Sequence, residues 1–208
     1  CLMRKFLALA ATVILGGALL IAGCGNDNNK QAASNSKQVL KIGATAVPHA
    51  EILEQVKPIL AKDGIELKIT EFTDYNTPNL ALGDKEIDAN FFQHIPYMDE
   101  FAKAHKLNLV SAGGVHLEPM GLYSRQIKDL KDLPKGAKIA IPNDPTNGGR
   151  ALLLLQKQGL ITLKDSSNIL STVQDIASNP NEYQFVELEA AQVPRSLDDV
   201  ALAAINTN

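Results

Sequence analysis

The chain has 208 residues, of which 45% are hydrophobic and 21% are charged, a composition typical of a globular protein with one or two domains. Its formal net charge at pH 7 is -3, with 20 Lys and Arg against 23 Asp and Glu. The sequence offers no basic stripe to neutralise phosphates, so we expect no nucleic-acid partner.

Residues 1–24 predict a lipoprotein signal peptide. Arg4 and Lys5 precede an almost uncharged apolar run that ends in small residues, which is the layout of a secretory signal. The alternative is a single transmembrane anchor, because an apolar run of about 18 residues approaches the thickness of a bilayer. The ending "LIAGC" resembles the lipobox of bacterial lipoproteins, in which Cys24 would be lipidated. Residues 25–38 contain no apolar period and predict a flexible tether.

From residue 39 onwards, strand and helix patterns alternate. The stretches "VLKIGATA" and "IELKITEF" alternate apolar and polar residues as strands do, and "HAEILEQVKPILAKDG" between them has helical spacing. "NTPNLAL" predicts a short helix, Ile87 to Phe91 a strand, and "IPYMDEFAKAHK" another helix. "LNLVSAGGVH" and "MGLYS" predict two further strands. This order indicates a parallel α/β sheet.

A second unit is predicted to begin at residue 121. Here "KIAI" predicts a strand and "TNGGRALLLLQKQGLI" a helix, with Gly159 in its C-terminal stop. "YQFVELEAAQVPRSL" predicts a strand and a helix, and "VALAAINTN" predicts a last strand. The predicted fold class is therefore α/β with two lobes, lobe one at residues 39–120 and lobe two at residues 121–208.

Arg150 is predicted at the start of a helix, directly after a strand and a glycine-containing loop. A helix N-terminus presents free N–H groups and the positive end of a dipole, and both suit an anion. The planar guanidinium matches a carboxylate or a phosphate. The alternative is a capped helix in which Arg150 pairs with a surface acid. The loop is not a Walker motif, because no Lys-Ser/Thr follows its glycines.

Aromatic residues concentrate in "FFQHIPYMDEF", immediately after a predicted strand. Ligands of open α/β sheets collect at the carboxyl ends of the strands. Phe91 is predicted to point into the core, whereas Phe92, His94 and Tyr97 are the better candidates to line a cleft. Tyr75 lies in a loop after another predicted strand and can join them.

An enzyme is the less favoured class. The four histidines, His49, His94, His105 and His116, contain no H-x-x-x-H pair that would place two metal ligands on one helix face. No G-x-S-x-G elbow occurs, and with Cys24 lipidated no cysteine is expected to act as a nucleophile. We therefore expect no catalysis, no metal and no cofactor, and a metal hydrolase remains the enzymatic alternative.

Several long motifs, in order along the chain, resemble one family. They are the lipobox, "KIGATAVPHAEILEQVKP", "TDYNTPNLALGDKEIDANFFQHIPYMDEF", "HLEPMGLYS", "IPNDPTNGGRALLLLQKQGLI" and "AAINTN". Together they resemble the methionine-binding lipoproteins of bacterial ABC importers, the MetQ/NlpA family. The resemblance implies a two-lobe, periplasmic-binding-protein type II fold that is lipid-anchored in the cell envelope and faces the periplasm or the exterior. It also implies that the chain delivers methionine to a transporter permease and its ATPase.

The resemblance further implies a set of site residues. In the family, aromatic residues and a His surround the methionine thioether, an Arg binds the carboxylate, and Asn side chains meet the polar backbone groups of the ligand. The implied ligand-binding residues are Tyr75, Phe91, Phe92, His94, Tyr97, Asn147, Arg150, Asn206 and Asn208. Family chains return to lobe one after the "INTN" strand, so the resemblance implies that the C-terminal part of lobe one is missing here.

The sequence leaves open whether the ligand is L-methionine or D-methionine. The alternatives within binding proteins are a methionine-containing dipeptide or another apolar amino acid, because specificity depends on the depth of the pocket. A different class is a surface adhesin lipoprotein that keeps the fold without transport.

Overall fold

The computed structural model describes residues 38–208. The predicted signal peptide, the lipidation site Cys24 and the tether up to residue 37 lie outside the described residues. Gln38, assigned to the tether from sequence, is already the first residue of a strand. Within residues 38–208, no helix combines the length and apolar character needed to span a bilayer.

The first part of the described chain forms a parallel sheet of three strands in the order β2-β1-β3. Its elements, in chain order, are β1 (Gln38–Thr45), α1 (Glu51–Lys62), β2 (Ile65–Phe72), α2 (Thr77–Gly83), β3 (Ala89–Phe91) and α3 (Ile95–His105). Parallel neighbours need a crossover connection, and helices provide it here. The predicted strand and helix alternation is thus confirmed over this first sheet.

The core of the first sheet follows from the apolar pattern of β1, α1 and β2. Leu53 of α1 packs with Ala44 of β1 and Leu67 of β2, and all three side chains are buried. Gly64 joins α1 to β2 with a φ of +78°, a backbone conformation that favours glycine. The short turn at Gly64 therefore lets α1 lie directly on the strands that flank it.

The second part forms a mixed sheet of four strands in the order β4-β9-β5-β8. Its elements are β4 (Gly121–Tyr123), β5 (Lys138–Pro142), α4 (Pro145–Lys157), β8 (Gln184–Leu188) and β9 (Leu202–Ile205), and a separate antiparallel pair comprises β6 (Thr162–Leu163) and β7 (Ile176–Ser178). β5 runs parallel to β8 and β9, and β4 is antiparallel to β9. Every residue of β9 is buried, which explains its continuous apolar sequence.

Two elements differ from the sequence predictions. "LNLVSAGGVH" was predicted as a strand, but residues 107–120 have no regular structure, and Val110 and Leu117 are 82% and 93% exposed. The prediction was wrong because apolar alternation is not sufficient for a strand, which needs a neighbour, and no strand in residues 38–208 pairs with this segment. The predicted helix after β8 is a 3₁₀ helix, Ala190–Ser196, with Pro194 inside it.

The two sheets fall on either side of residue 120. The predicted boundary between residues 39–120 and 121–208 lies at the same position in the sequence. Hydrogen bonds nevertheless join the two parts, because Asn208, beyond β9, contacts Tyr75 and Thr45 of the first part. The boundary itself stays a prediction.

Candidate functional site

A cavity of about 1250 Å³ is lined by residues of both parts of the chain. All the predicted ligand-binding residues lie in its wall: Tyr75, Phe91, Phe92, His94, Tyr97, Asn147, Arg150, Asn206 and Asn208. Small-molecule sites are typically about 300 to 1,000 Å³, so this cavity extends beyond the space that one small ligand fills. The structure therefore brings the predicted residues together, and their contact with a ligand stays a prediction.

Tyr75, Phe92 and Tyr97 line one wall and form an aromatic cluster with Phe101 behind them, all four less than 8% exposed. The rings of Tyr75, Phe92 and Tyr97 meet edge to face, with centroids 5.9 to 6.1 Å apart. The Tyr97 hydroxyl donates a hydrogen bond to the carbonyl oxygen of Tyr75 at 2.9 Å. This bond ties the loop after β2 to α3, so the cluster is rigid and presents apolar ring surface.

Phe91 differs from the aromatic cluster. It packs against the core of the first sheet, as predicted from sequence, and it also reaches the cavity. Its ring contacts His49 and His116 edge to face, with centroids 4.5 and 5.6 Å away. Phe91 therefore supports two histidines at the cavity wall.

Arg150 lies further inside helix α4 than predicted. The helix starts at Pro145, so Arg150 lies in the second turn rather than at the start. The prediction was wrong because Asp144, whose carboxylate accepts from the Asn147 backbone N–H at 2.9 Å, caps a helix that opens with proline. The Asp144 carboxylate therefore occupies the helix N-terminus that was predicted to bind an anion.

Asn147 organises the polar wall of the cavity. The side chain is 1% exposed, and its Nδ2 donates to both carboxylate oxygens of Asp144 at 3.1 and 3.0 Å. This fixes the direction of the Asn147 Oδ1, which accepts from Arg150 Nη1 at 3.0 Å and from Asn206 Nδ2 at 2.9 Å. Asn147 thus places Arg150 and Asn206 side by side.

The Arg150 guanidinium is held on two sides. Besides its bond to Asn147, its Nη2 donates to the carbonyl oxygen of Glu118 at 3.1 Å. Burial lowers the pKa of Arg150 and the Asp144 carboxylate opposes that change, and a guanidinium stays charged in either case. A fixed, partly desolvated cation with further N–H donors can bind a carboxylate.

Two buried polar atoms of this wall lack a hydrogen-bond partner within residues 38–208. They are His94 Nε2 and Asn206 Oδ1, and both residues line the cavity. A third such atom, Glu189 Oε1, lies in the segment that packs on the aromatic cluster. The bond from Asn206 Nδ2 to Asn147 fixes the orientation of the amide. The Oδ1 at its other end is an acceptor, and a buried acceptor without a partner suits an N–H donor from a ligand.

Asn208 links the two parts of the chain at the cavity. Its Oδ1 accepts from the Tyr75 hydroxyl at 2.7 Å, and its Nδ2 donates to the Phe92 carbonyl oxygen at 3.2 Å. Burial, followed by surrounding carboxylates, raises the pKa of the Tyr75 phenol, so this hydroxyl remains a donor. Both ends of the Asn208 side-chain amide are therefore hydrogen-bonded to residues of the aromatic cluster.

His94 is neutral at physiological pH. Burial, and then the neighbouring positive charge of Arg150, lower its pKa to about 4, while Asp144 acts in the opposite direction. A neutral ring beside Tyr97 adds no charge to the apolar side of the cavity.

The low pKa of His94 predicts a pH dependence of stability. Between about pH 6.5 and pH 4 the unfolded chain binds a proton on His94 that the folded chain does not, so the free energy of unfolding falls as the pH falls. We expect His94→Gln to make this loss shallower. The measurement is urea unfolding from pH 7.5 to pH 4.5, with His105→Gln, at an exposed position on α3, as the control. Equal slopes for the His94 variant and the parent would contradict the expectation.

Three further residues reach this cavity without having been predicted as site residues: His49, His116 and Glu118. His49 is 3% exposed, and burial lowers its pKa although Glu118 opposes this. His116 and Glu118 lie two residues apart in residues 107–120, whereas His49 comes from the segment after β1, and no metal-site spacing connects it to them. The sequence gives one indication for His49: "VPHA" follows a predicted strand, as the aromatic stretch does.

Residues 40–208 match the family model described as NlpA lipoprotein. The chain belongs to the NlpA lipoprotein family. A probable D-methionine-binding lipoprotein MetQ of Vibrio cholerae is 45% identical to it over 206 residues, which cover 99% of this chain and 73% of that protein.

Solved structures of similar proteins share the fold. A nutrient-binding protein from Burkholderia cenocepacia bound to methionine is 48% identical, with a TM-score of 0.78 over 81% of this chain and 72% of that one. An ABC transporter periplasmic substrate-binding protein from Coxiella burnetii is 49% identical, with a TM-score of 0.77 over 81% of this chain and 72% of that one. This NlpA lipoprotein therefore has the α/β fold of periplasmic substrate-binding proteins, as its sequence predicted.

Proposed function

We propose that this NlpA lipoprotein captures methionine and delivers it to an ABC importer. The arrangement of Arg150 and Asn206 is the observation that carries the proposal. A free amino acid has a carboxylate and an ammonium on one carbon, and these side chains offer a cation and a buried acceptor next to each other. Asn147 holds both, so the pair is preorganised for an amino-acid head group.

The aromatic cluster suits the methionine side chain. Tyr75, Phe92 and Tyr97 present ring surface at the same cavity, and a thioether packs favourably against aromatic rings. In this proposal neutral His94 completes the apolar side, and its free Nε2 is directed to the ligand. In the same proposal Phe91, packed on the core of the first sheet, and Asn208, bonded to Tyr75 and Phe92, support the wall.

The proposed setting is the cell envelope. Cys24 would carry the lipid anchor, residues 25–38 would tether the folded part, and lobes at residues 39–120 and 121–208 would hold the ligand between them. The partners are then the permease and ATPase of an importer. The role is binding rather than catalysis, in line with the substrate-binding protein of Coxiella burnetii and the methionine-bound protein of Burkholderia cenocepacia.

A methionine-containing dipeptide is the second candidate ligand. The cavity volume of about 1250 Å³ favours it, because a second residue would find room beyond the head-group site. Because a similar protein is named for D-methionine, both enantiomers of methionine should be tested as ligands.

Thermal unfolding tests the proposed function. The purified full chain, in detergent, would be melted with L-methionine, D-methionine, glycyl-methionine or alanine. A ligand at about 100 times its Kd stabilises the folded state by about 2.7 kcal/mol, which raises the unfolding midpoint by roughly 5 to 10 °C for a chain of this size. We expect this rise with one or both methionine enantiomers and not with alanine.

Other outcomes of the melting experiment would redirect the proposal. A rise with glycyl-methionine alone would replace free methionine by the dipeptide. A cooperative transition that none of the four ligands moves would contradict the importer role and favour an adhesin.

A further inference from the structure

We propose that His49, His116 and Glu118 form a binding site for a divalent transition-metal ion of the Zn²⁺ type, in the wall of the cavity and beside the amino-acid site. One ligand atom of each residue lies within 4.8 Å of those of the other two. Two imidazoles and a carboxylate are the donor set of many zinc sites. None of the three side chains has a role in the proposed binding of methionine.

The distances between the donor atoms suit one ion. Glu118 Oε1 lies 2.6 Å from His116 Nε2 and 3.4 Å from His49 Nε2. Zinc binds nitrogen and oxygen at about 2.0 to 2.2 Å, so two ligands of a tetrahedral ion lie roughly 3.3 Å apart. The two contacts fall on either side of this separation, and small side-chain rotations would admit the ion.

The histidine rings are already oriented. Thr45 Oγ1 lies 2.7 Å from His49 Nδ1, and a bond donated by that nitrogen leaves the lone pair on Nε2, which faces Glu118. A hydrogen bond of this kind on the far nitrogen is the usual support of a metal-bound histidine. Phe91 packs edge-on against both rings and restricts their rotation.

The site is accessible from the cavity. All three residues line it, and the side chain of His116 is 28% exposed while that of His49 is 4% exposed. Three protein ligands leave at least one coordination position of a tetrahedral ion for water or another donor. The backbone carbonyl of Glu118 also accepts from Arg150, so the metal site and the cation of the amino-acid site share one residue.

The absence of an H-x-x-x-H pair does not argue against this site. That spacing identifies two ligands on one helix, whereas here the ligands come from the segment after β1 and from residues 107–120. Only the fold brings His49 to His116 and Glu118.

The test is a zinc titration without methionine, so its outcome does not depend on the proposed function. The full chain in detergent would be stripped with a chelator, dialysed and titrated with Zn²⁺ by calorimetry. We expect one ion per chain at this site. His116→Ala and Glu118→Gln should each lower the affinity roughly tenfold or more, and His105→Ala should leave it unchanged.

The variants are chosen to keep the fold. Glu118→Gln preserves the volume of the side chain and the carbonyl oxygen that Arg150 uses, and His116 belongs to a segment without regular structure. Melting of each variant checks folding, and His116→Ala decides alone if Glu118→Gln is misfolded. No zinc binding by the parent chain, or equal affinity in the parent and the folded variants, would overturn the proposal. Zinc held elsewhere on the chain would give the second result.

Discussion

Arg150→Ala is expected to remove most of the affinity for methionine. The guanidinium is partly buried, fixed by Asn147 and by the Glu118 carbonyl, and directed at the cavity. Loss of one partner of a buried charge pair costs about 2 to 5 kcal/mol, which corresponds to a Kd raised roughly 30-fold to several thousand-fold. The folded state should persist, because Asn147 keeps its bonds to Asp144.

The measurement is calorimetric titration of methionine into the parent chain and the variant. Arg125→Ala is the matched control, because Arg125 pairs with Asp198 at the surface and both side chains are more than 60% exposed. The control should retain the affinity of the parent. A change in Kd of less than threefold for Arg150→Ala, in a variant that melts normally, would place the carboxylate elsewhere and contradict the proposed site.

Gly149→Ala is expected to destabilise the protein strongly. Gly149 lies in α4, where alanine would ordinarily stabilise a helix by about 1 kcal/mol over glycine. A Cβ at this position would instead overlap the backbone carbonyl of Ile169 and lie 2.6 Å from its carbon. Backbone atoms cannot rotate away as a side chain can, so overpacking of roughly 1 to 3 kcal/mol or more should outweigh the gain in helix propensity.

The sign of the change in the free energy of unfolding therefore distinguishes overpacking, which lowers it, from helix propensity, which raises it. Urea unfolding of Gly149→Ala should give a lower free energy of unfolding than the parent, and methionine binding should weaken because α4 carries Asn147 and Arg150. Gly114→Ala is the control, since a Cβ there would meet no atom within 4 Å. A stabilised Gly149 variant would show that the 169–170 backbone moves freely.

The elements that could be predicted from sequence are those whose pattern is local. β1 and β2 alternate apolar and polar residues, and α1 repeats its apolar residues at helical spacing, so their types follow from the burial of one face. β9 could be predicted for a different reason: it is buried on all sides and reads as an unbroken apolar run.

The wrong sequence predictions have two causes: contacts between distant segments and helix capping. Residues 107–120 alternate like a strand, but a strand forms only where another chain segment satisfies its backbone groups. Arg150 lies in the second turn of α4 rather than at its start, because Asp144 caps the helix and Pro145 opens it.

The residues of the candidate site also divide into those with a local sequence signal and those without one. Arg150 and the aromatic stretch could be found from their positions after strands, together with a family resemblance, and the structure places them in one cavity. The unpartnered Oδ1 of Asn206 and the contacts of Glu118 could not, because they depend on hydrogen bonds between segments far apart in the chain.

The two parts of the chain supply different sides of the cavity wall, and this has an evolutionary consequence. In the proposed site, the head-group side chains Asn147, Arg150 and Asn206 come from the second part of the chain, while the aromatic cluster belongs largely to the first part. If the proposal holds, substitutions among Tyr75, Phe92 and Tyr97 would alter which side chain is preferred without disturbing recognition of an amino acid as such. Substitutions in the first part of the chain could then change the amino acid that is bound. Each intermediate sequence would still bind amino acids, because the second part of the chain is unchanged.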